Sequence, residues 1–331
     1  MKSIMMENDS LFEIAKALEE ADTVLLLSHI IPDGDTIGSC VALSDALGKM
    51  GKTVHICPGE PLPANLTFLE DPSFFPQAGL LPRYDAVVAV DCSDRDRLGS
   101  RLPLLERGRL TINIDHHKTN TFYGMLNHVQ GNRAAAGEII FALFQAGGWK
   151  LSPKAAQGLY TAIVTDTGQF QYSNTTGDTH RIAAALIEAG IDRDRISINL
   201  YQSDSKTKLP VTYACLSHMA YYMEEQVALA FITHQELSSL GGTITDTDGM
   251  VEMLRNIEGV EISVFIKEIQ PGLMKVGMRS KNWADVAEIC TAFGGGGHTR
   301  AAGCSLHGNI DQVVEAILSR IEEYLDQRKG S

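Results

Sequence analysis

The chain has 331 residues, of which 44% are hydrophobic, and this is enough to fill two domain cores rather than one. Its 28 basic and 41 acidic residues give a formal net charge of −13, so long duplex DNA or RNA is a poor candidate for the main partner. The six cysteines show no Cys-x-x-Cys spacing, the N-terminal segment is acidic, and no apolar run approaches the roughly 20 residues that span a bilayer. We therefore expect a cytoplasmic protein without disulfides and without a membrane segment.

The first buried strand is predicted over Thr23–Ser28, and it leads directly into a loop that is rich in ionisable side chains. His29, Asp33 and Asp35 lie in this loop, ahead of a helix predicted over Ile37–Met50. Aspartate is a favoured helix cap, but capping accounts for only one of the two aspartates. Their spacing suits two adjacent metal ions that each bind one of them.

Two further predicted strands also end in ionisable residues. The run Asp85–Val90 is followed by Asp91, and Leu110–Ile114 is followed by Asp115-His116-His117. An aspartate at a strand end is as often a loop cap as a ligand, whereas carboxylates and imidazoles together are usual ligands of divalent metals. In α/β domains ligands bind at the carboxyl ends of the strands, so these residues are candidates for a metal site.

A fourth acidic candidate, Asp166, lies near the end of a helix that is predicted to begin at Ser152-Pro153. Serine at the N-cap and proline at the first helical position are typical of a helix start. A carboxylate near a helix C-terminus is electrostatically unfavourable, and a nearby cation would remove that objection. The following segment, Gln169–Thr176, is expected to be an irregular turn that caps the next helix.

Taken in chain order, these segments closely resemble the four N-terminal motifs of the DHH phosphoesterase superfamily. The segments are His29-Ile-Ile-Pro-Asp33-Gly-Asp35, Asp91, Asp115-His116-His117 and Thr165-Asp166-Thr167-Gly168. Later in the chain, Gly294–Gly303 is similar to the signature of the associated DHHA1 domain, and length and motif spacing resemble the nano-RNase/pAp phosphatase (NrnA-type) branch. The resemblance implies an α/β fold, with a DHH domain over residues 1–191 whose mainly parallel sheet is flanked by helices. A linker is expected over residues 192–210, then a smaller α/β DHHA1 domain over residues 211–331, with a cleft between the two domains.

The same resemblance implies two metal ions that share one ligand. His29, Asp33 and Asp91 resemble the ligands of the first ion, and Asp35, Asp91, His116 and Asp166 resemble those of the second. Two divalent ions about 3.5–4 Å apart need an anion between them, which agrees with the sharing of Asp91. Oxygen ligands with two imidazoles favour manganese, with magnesium, cobalt and zinc as alternatives. By similarity His117 contacts the phosphate or the leaving oxygen, and Asp115 orients a neighbouring ligand.

The predicted second domain carries the residues that are expected to hold the substrate. A helix is predicted over Pro210–Met223, and strands over Val260–Ile269 and Leu273–Met278 are joined by a Gln-Pro-Gly turn. Glycines tolerate backbone angles that let successive N–H groups point at one anion. We expect the phosphate end of a nucleotide to be held by Arg279, Gly295, Gly296, Gly297, His298 and Arg300. The alternative interpretation is a glycine-rich turn with solvated charges.

The resemblance implies hydrolysis of short oligoribonucleotides and linear dinucleotides to mononucleotides, and of pAp to AMP. A cyclic-dinucleotide phosphodiesterase and a family II-like pyrophosphatase are the alternatives within the superfamily. A RecJ-like exonuclease would need a longer chain and a basic channel for long DNA. A non-catalytic RNA-binding module is the alternative from another class, but it predicts eroded metal ligands, and every expected ligand is present. The sequence leaves the oligomeric state open, and a homodimer is one candidate.

Overall fold

The computed structural model describes residues 8–59, 61–70, 72–74 and 79–329. The chain divides into two compact units, which we call the first unit (Met1–Ser203) and the second unit (Asp204–Ser331). Each unit has hydrophobic clusters of its own. In the described part of the chain, no helix is both long enough and apolar enough to cross a bilayer.

A five-stranded, wholly parallel sheet forms the centre of the first unit, in the order β2-β1-β3-β4-β5. Its strands are β1 (Thr23–Leu27), β2 (Thr53–Cys57), β3 (Tyr84–Val90), β4 (Gly108–Asp115) and β5 (Leu126–Val129). The helices that accompany it are α1 (Leu11–Glu20), α2 (Gly34–Lys49), α3 (Ala136–Gly147), α4 (Pro153–Asp166), α5 (Gly177–Glu188) and α6 (Arg193–Tyr201). The central strands β1 and β3 are almost continuously buried, as expected for parallel strands covered on both faces. The predicted parallel α/β sheet with flanking helices is confirmed.

Helices α2 and α4 pack in unusually close contact because each carries a glycine at the crossing point. A Cβ atom on Gly38 would lie 2.2 Å from the carbonyl oxygen of Gly158, and one on Gly158 would lie 2.4 Å from the carbonyl oxygen of Gly38. A Cβ on Gly34, at the start of α2, would lie 2.5 Å from the side chain of Thr165, near the end of α4. The helices therefore run antiparallel, and the start of α2 lies beside the end of α4.

The outer edge of β5 is covered by two residues that precede α1. The side-chain amide of Asn8 donates to the carbonyl of Val129, and its oxygen accepts from the Val129 N–H. Asp9 makes the equivalent pair of bonds to Asn127, with its N–H donating to the Asn127 carbonyl and its carboxylate accepting from the Asn127 N–H. These bonds satisfy the backbone groups that an edge strand would otherwise expose.

The second unit is built on a six-stranded mixed sheet in the order β10-β11-β9-β8-β7-β6, in which the pair β7–β8 is parallel and the other pairs are antiparallel. Its strands are β6 (Ala220–Tyr222), β7 (Val227–Ile232), β8 (Ile262–Gln270), β9 (Leu273–Ser280), β10 (Gly296–His298) and β11 (Ala301–His307). Its helices are α7 (Lys208–Ser217), α8 (His234–Ser239), α9 (Met250–Arg255), α10 (Val286–Thr291) and α11 (Ile310–Lys329). The predicted second α/β domain is confirmed.

Three local predictions need correction. The predicted linker, residues 192–210, contains α6 and the start of α7. Asp192 caps α6 by accepting from the Arg195 N–H. The charged and serine-rich composition of residues 192–210 is therefore that of exposed helices. The predicted helix Pro210–Met223 ends at Ser217, and the chain then pairs with β7 as the short strand β6. Part of the predicted glycine loop is strand β10, which pairs with β11 across the Thr299-Arg300 turn. The division between the units falls inside the predicted linker, after Ser203.

Candidate metal centre

Asp33 serves both as a helix cap and as a member of the acidic cluster, because its two carboxylate oxygens do different things. It is the N-cap of α2, and its Oδ1 accepts from the N–H groups of Asp35 and Thr36, both at 3.1 Å. Its Oδ2 lies 3.5 Å from Nε2 of His29. The carboxylate is half exposed, so this side of the cluster is open to solvent. The capping and ligand interpretations of Asp33 are therefore compatible.

Asp35 is fully buried at the first turn of α2, and the start of α3 holds its carboxylate in place. The N–H of Ala136 donates to Oδ2 at 2.6 Å, and the N–H of Gly137 donates to Oδ1 at 2.9 Å. The hydroxyl of Ser39, one turn further along α2, lies 3.3 Å from Oδ1. Because unpaired N–H groups at a helix start attract negative charge, α3 fixes the orientation of this carboxylate.

Asp91 directly follows β3 and has a left-handed backbone, with φ of 57°. This conformation is uncommon for residues other than glycine, and functional sites hold a disproportionate share of such residues. Its N–H donates to the carbonyl of Ile114 on the neighbouring strand β4, which ties the turn to the sheet. Its Oδ2 lies 3.4 Å from Nε2 of His29. Its Oδ1 is buried and accepts no hydrogen bond from any described residue.

His116 lies where three carboxylates converge. Its Nε2 is 3.3 Å from Oδ1 of Asp91, 3.3 Å from Oδ2 of Asp166 and 3.7 Å from Oδ2 of Asp35. Its Nδ1 lies 3.2 Å from the carbonyl oxygen of Arg133, which can only accept a hydrogen bond. Nδ1 therefore carries the proton, and Nε2 faces the carboxylates as a potential ligand atom.

The same logic fixes the ring of His29. Its Nδ1 lies 2.6 Å from the carbonyl oxygen of Ile30, so Nδ1 donates there and Nε2 faces Asp33 and Asp91. The ring is almost fully buried. Both imidazoles that were predicted as ligands thus present Nε2 to carboxylates, with Nδ1 held by a backbone carbonyl.

Asp166, at the C-terminal end of α4, reaches the cluster because of the glycine-mediated packing of α2 on α4. Its backbone carbonyl accepts from the side-chain amide of Asn174, which also donates to the carbonyl of Ala134 ahead of α3. This amide links the segments that follow α4 and precede α3. The side chain of Asp166 is thereby placed beside Asp35 and His116.

The donor atoms form three overlapping groups, and within each group all ligand atoms lie within 4.8 Å of one another. The groups are His29-Asp33-Asp91, Asp35-His116-Asp166 and Asp91-His116-His117. Asp91 and His116 each belong to two of these groups. Carboxylate oxygens with imidazole nitrogens suit hard or borderline divalent ions, and the buried, unbonded Oδ1 of Asp91 is an acceptor that a cation would satisfy. The residues present therefore fit a divalent metal centre.

The electrostatics of the cluster also favour a cation. Burial raises the pKa of Asp35 well above its ordinary value, and the carboxylates of Asp91 and Asp166 add to the shift. Burial, reinforced by Asp33, raises the pKa of Asp166 to about 8. For His29, burial opposes the charged ring, but Asp33 and Asp91 outweigh it and raise its pKa to about 10. The carboxylates thus attract positive charge, which protons or divalent ions can supply.

His117 differs from the other two histidines because a carboxylate, not a carbonyl, holds its Nδ1. Oδ1 of Asp115 lies 2.7 Å from Nδ1 of His117, and Asp115 is fully buried at the end of β4. The side-chain amide of Asn120 donates to Oδ2 of Asp115 at 2.6 Å and to Oδ1 of Asn113 at 2.9 Å. Asp115 therefore orients His117 and is itself oriented by Asn120. Burial opposes the charged ring of His117, but the bond to Asp115 and the negative charges of Asp91 and Asp115 together outweigh it and raise its pKa.

Comparisons with known proteins agree with this geometry. Residues 23–163 match the DHH family, N-terminal domain, and residues 226–327 match the DHHA1 domain. A protein of Thermus thermophilus named bifunctional oligoribonuclease and PAP phosphatase NrnA is 31% identical over 95% of this chain and 93% of its own length. The protein of the same name from Bacillus subtilis is 30% identical over 94% of this chain and 99% of its own length. The chain belongs to the DHH–DHHA1 family. The predicted family assignment is thereby confirmed.

A solved structure from the same comparisons resembles the whole chain. An exopolyphosphatase-related protein from Bacteroides fragilis is 25% identical, with a TM-score of 0.91 over 96% of this chain and 97% of its own. The match to the DHH model lies within the first unit and the match to the DHHA1 model within the second, so we call the two units the DHH domain and the DHHA1 domain.

The DHHA1 domain contains the predicted substrate residues, and they are placed in two different settings. Arg279 on β9 lines a cavity of about 430 Å³ with Lys267 and Lys275, and its Nε donates to Oε1 of Glu252 at 3.0 Å. Arg300 instead donates to the carbonyls of Asn282 and Ala284, so backbone groups already engage its guanidinium.

The glycines of the DHHA1 signature are needed for close packing as well as for backbone freedom. Gly295 lies against β11, where a Cβ would be 2.3 Å from the carbonyl oxygen of Gly303. Gly297 has φ of 148° and would place a Cβ 2.4 Å from the carbonyl oxygen of Ala301. Gly296 and His298 are exposed on strand β10. The fold of the β10–β11 hairpin therefore requires these glycines, and the binding of a phosphate by this segment stays a prediction.

Several residues that support the site were not predicted from the sequence. Asn120 and Asn174 lie outside the strands and helices, so no periodic pattern marks them. Ala136 and Gly137 contribute only their backbone N–H groups, which the residue type does not reveal. Lys267 and Lys275 do carry a signal, since they occupy directly paired positions on β8 and β9 and both face the cavity beside Arg279. The sequence could have indicated that pair once the register of the hairpin was assumed.

Proposed function

We propose that the protein is a two-metal phosphoesterase that hydrolyses short oligoribonucleotides and linear dinucleotides to mononucleotides and dephosphorylates pAp to AMP. The observation that carries the proposal is the convergence of seven donor side chains from four separate segments into groups that share Asp91 and His116. Relatives that bear the name of such an enzyme align with nearly the whole chain. Membership of the family makes hydrolytic chemistry the natural use of this cluster.

In the proposed site, one ion is held by His29, Asp33 and Asp91, and the other by Asp35, Asp91, His116 and Asp166. Asp91 can serve both because its Oδ2 faces His29 while its Oδ1 faces His116. Manganese is the ion we favour, since the donors combine hard oxygens with imidazoles. When bound, two such ions would make water acidic enough to form hydroxide at neutral pH, which can attack phosphorus. They would also neutralise charge on the phosphate.

The side chains of the DHH domain have separable tasks in this proposal. The backbone bonds of His29 and His116 keep Nε2 directed at the cluster, and α3 holds Asp35 in one orientation. We assign His117 to the phosphate or the leaving oxygen, where it stabilises developing charge or delivers a proton. Asp115 fixes the ring that does this by holding Nδ1–H.

In the DHHA1 domain we propose that Arg279, the glycine segment and His298 hold the phosphate end of the substrate. Arg279 supports this role most directly, because with Lys267 and Lys275 it lines a cavity in which three basic side chains accompany two acidic ones, Asp248 and Glu252. We assign the protein to the cytoplasm, since all six of its cysteines are buried and unpaired, as a reducing compartment would keep them.

The test is metal-dependent release of mononucleotides from an end-labelled dinucleotide, with pAp, a cyclic dinucleotide and pyrophosphate run in parallel. We expect Asp91→Asn to lower kcat/KM by more than about 100-fold, because ligand loss should exceed the 10–100-fold effect of an outer-shell partner. Asp22→Asn is the matched control: it makes the same change beside the opposite end of β1 and should retain activity. Full activity of Asp91→Asn, or a preference for pyrophosphate, would overturn the proposal.

A further inference from the structure

The segment between β9 and α10 is a loop whose backbone is fixed by one buried carboxylate. Glu261, which is 5% exposed, accepts the N–H of Trp283 at 2.7 Å and the N–H of Ala284 at 2.8 Å through Oε1. The N–H of Asn282 lies 3.0 Å from Oε2, and the side-chain amide of Asn282 lies 3.2 Å from the same oxygen. Three successive N–H groups on one carboxylate leave this loop little freedom.

A second clamp connects the loop to the hairpin that carries His298. Arg300, in the turn between β10 and β11, donates to the carbonyls of Asn282 and Ala284, the second at 2.7 Å. The N–H of Val286 donates to the carbonyl of Thr299 at 3.0 Å, which joins the same turn to the start of α10. The loop and the turn after His298 therefore form one rigid corner of the DHHA1 sheet.

The side chain at the middle of this fixed loop is Trp283, which is 42% exposed. Tryptophan rings in folded proteins are usually well buried, as is Trp149 of the DHH domain at 8% exposure. An exposed indole on a backbone that is already ordered loses little conformational entropy when a flat ligand stacks on it. Its chain neighbours Asn282 and Ala284 are bound by Arg300, two residues after His298, which we assign to the phosphate end of a nucleotide.

We propose that Trp283 is the stacking platform for a nucleobase of the substrate, and that Arg300 and Glu261 are positioning residues that hold the platform. This inference rests on the proposed function, because it assumes a nucleotide phosphate held by Arg279 and His298. It adds a base-specific contact to a site whose other assigned groups recognise phosphate. Nucleobases of every type stack on tryptophan, so this contact selects for the presence of a base and not for its identity.

The first test is kinetic. For hydrolysis of a dinucleotide, Trp283→Ala should raise KM about tenfold, the loss expected for one stacked base, and leave kcat within about twofold. Trp283→Phe should recover most of the affinity, since it retains an aromatic face. Tyr213→Ala, which removes a 77%-exposed aromatic side chain from α7 of the same domain, is the matched control and should leave KM unchanged. An unchanged KM in Trp283→Ala would overturn the proposal.

The second test does not depend on turnover. The chain has two tryptophans, so Trp149→Phe leaves Trp283 as the source of indole emission. With His117→Ala added to slow hydrolysis and magnesium present, diadenylate should change the emission of Trp283 in proportion to the occupancy measured by equilibrium dialysis. Ribose 5-phosphate, which has a phosphate but no base, should not. Constant emission at measured diadenylate occupancy would exclude stacking.

The two proposals fail in different ways. If wild-type protein releases no mononucleotide from any substrate, the proposed function is wrong, whereas the emission titration still reports whether a base stacks. If wild-type protein cleaves dinucleotides and Trp283→Ala has the same KM, only the stacking proposal is wrong.

Discussion

Asp115 shows how a single residue can act through a neighbour. It does not belong to any of the three donor groups, yet it is fully buried and holds Nδ1 of His117 at 2.7 Å. We predict that Asp115→Asn lowers kcat by about 10–100-fold, because the amide no longer fixes the tautomer and orientation of His117. Metal affinity, measured by isothermal titration calorimetry, should stay within about threefold. Asp115 bonds to His117 and Asn120, and neither of them is a proposed metal ligand.

The matched comparison is Asn120→Ala, which removes the bond that orients Asp115 but leaves its carboxylate in place. We expect a smaller fall in kcat for this variant than for Asp115→Asn. An Asp115→Asn enzyme with normal kcat and weak metal binding would show instead that Asp115 serves the ions.

At the residue scale, the sequence revealed the donors better than their supports. His29, Asp91 and His116 could be found because they lie at or just after the ends of apolar strands, and such strands end at one edge of a parallel sheet. The unusual backbone of Asp91 and the amide of Asn120 could not be found, because both depend on tertiary contacts. The specific roles of the site residues remain predictions.

At the element scale, the crossing of α2 and α4 sets the distance between Asp35 and Asp166. We predict that Gly158→Ala destabilises the protein by about 1–3 kcal/mol, since its methyl group would overlap the backbone of α2. The free energy of unfolding from urea titrations measures this loss. Metal affinity should fall as well, because forcing the helices apart separates the carboxylates.

Gly48→Ala is the control for that prediction. Gly48 lies on α2, the helix that Gly158 contacts, and nothing lies within 4 Å of a Cβ added at Gly48. Alanine there should stabilise the helix by about 0.5–1 kcal/mol. Equal behaviour of the two variants would mean that the glycine contact does not set the helix separation.

The elements that the sequence did not predict have a common cause. Strand β5 has four residues, and β6 has three, so neither presents enough alternation to be recognised. The apolar residues of β6 follow those of α7 at a spacing that also suits a helix, and only pairing with β7 decides between the two. Long buried strands such as β3 can be recognised without knowledge of their pairing, because a continuous apolar run already indicates them.

At the scale of the whole molecule, metal binding should stabilise one domain and not the other. The proposed ligands all lie in the DHH domain, so we predict that metal raises its unfolding midpoint by several degrees at saturation, equivalent to about 2.7 kcal/mol at one hundred times Kd. Trp149, in the Trp283→Phe variant, reports the DHH domain, and Trp283, in the Trp149→Phe variant, reports the DHHA1 domain. The first midpoint should rise with added magnesium or manganese, and the second should move less.

Adding Asp91→Asn to the Trp149 reporter should abolish the rise, because the shared ligand is lost. A rise that survives this change, or one confined to the Trp283 reporter, would place the ions elsewhere.

The covering of the outer edge of β5 by the residues that precede α1 has a practical consequence for handling the protein. Asn8 and Asp9 occupy the donors and acceptors along that strand's outer side. A chain shortened to start at Ser10 would expose those groups as a template on which another copy could add its own strand. Such a truncation should fold and then accumulate as oligomers or precipitate with rising concentration, which light scattering would follow, even though no part of the catalytic apparatus has been touched.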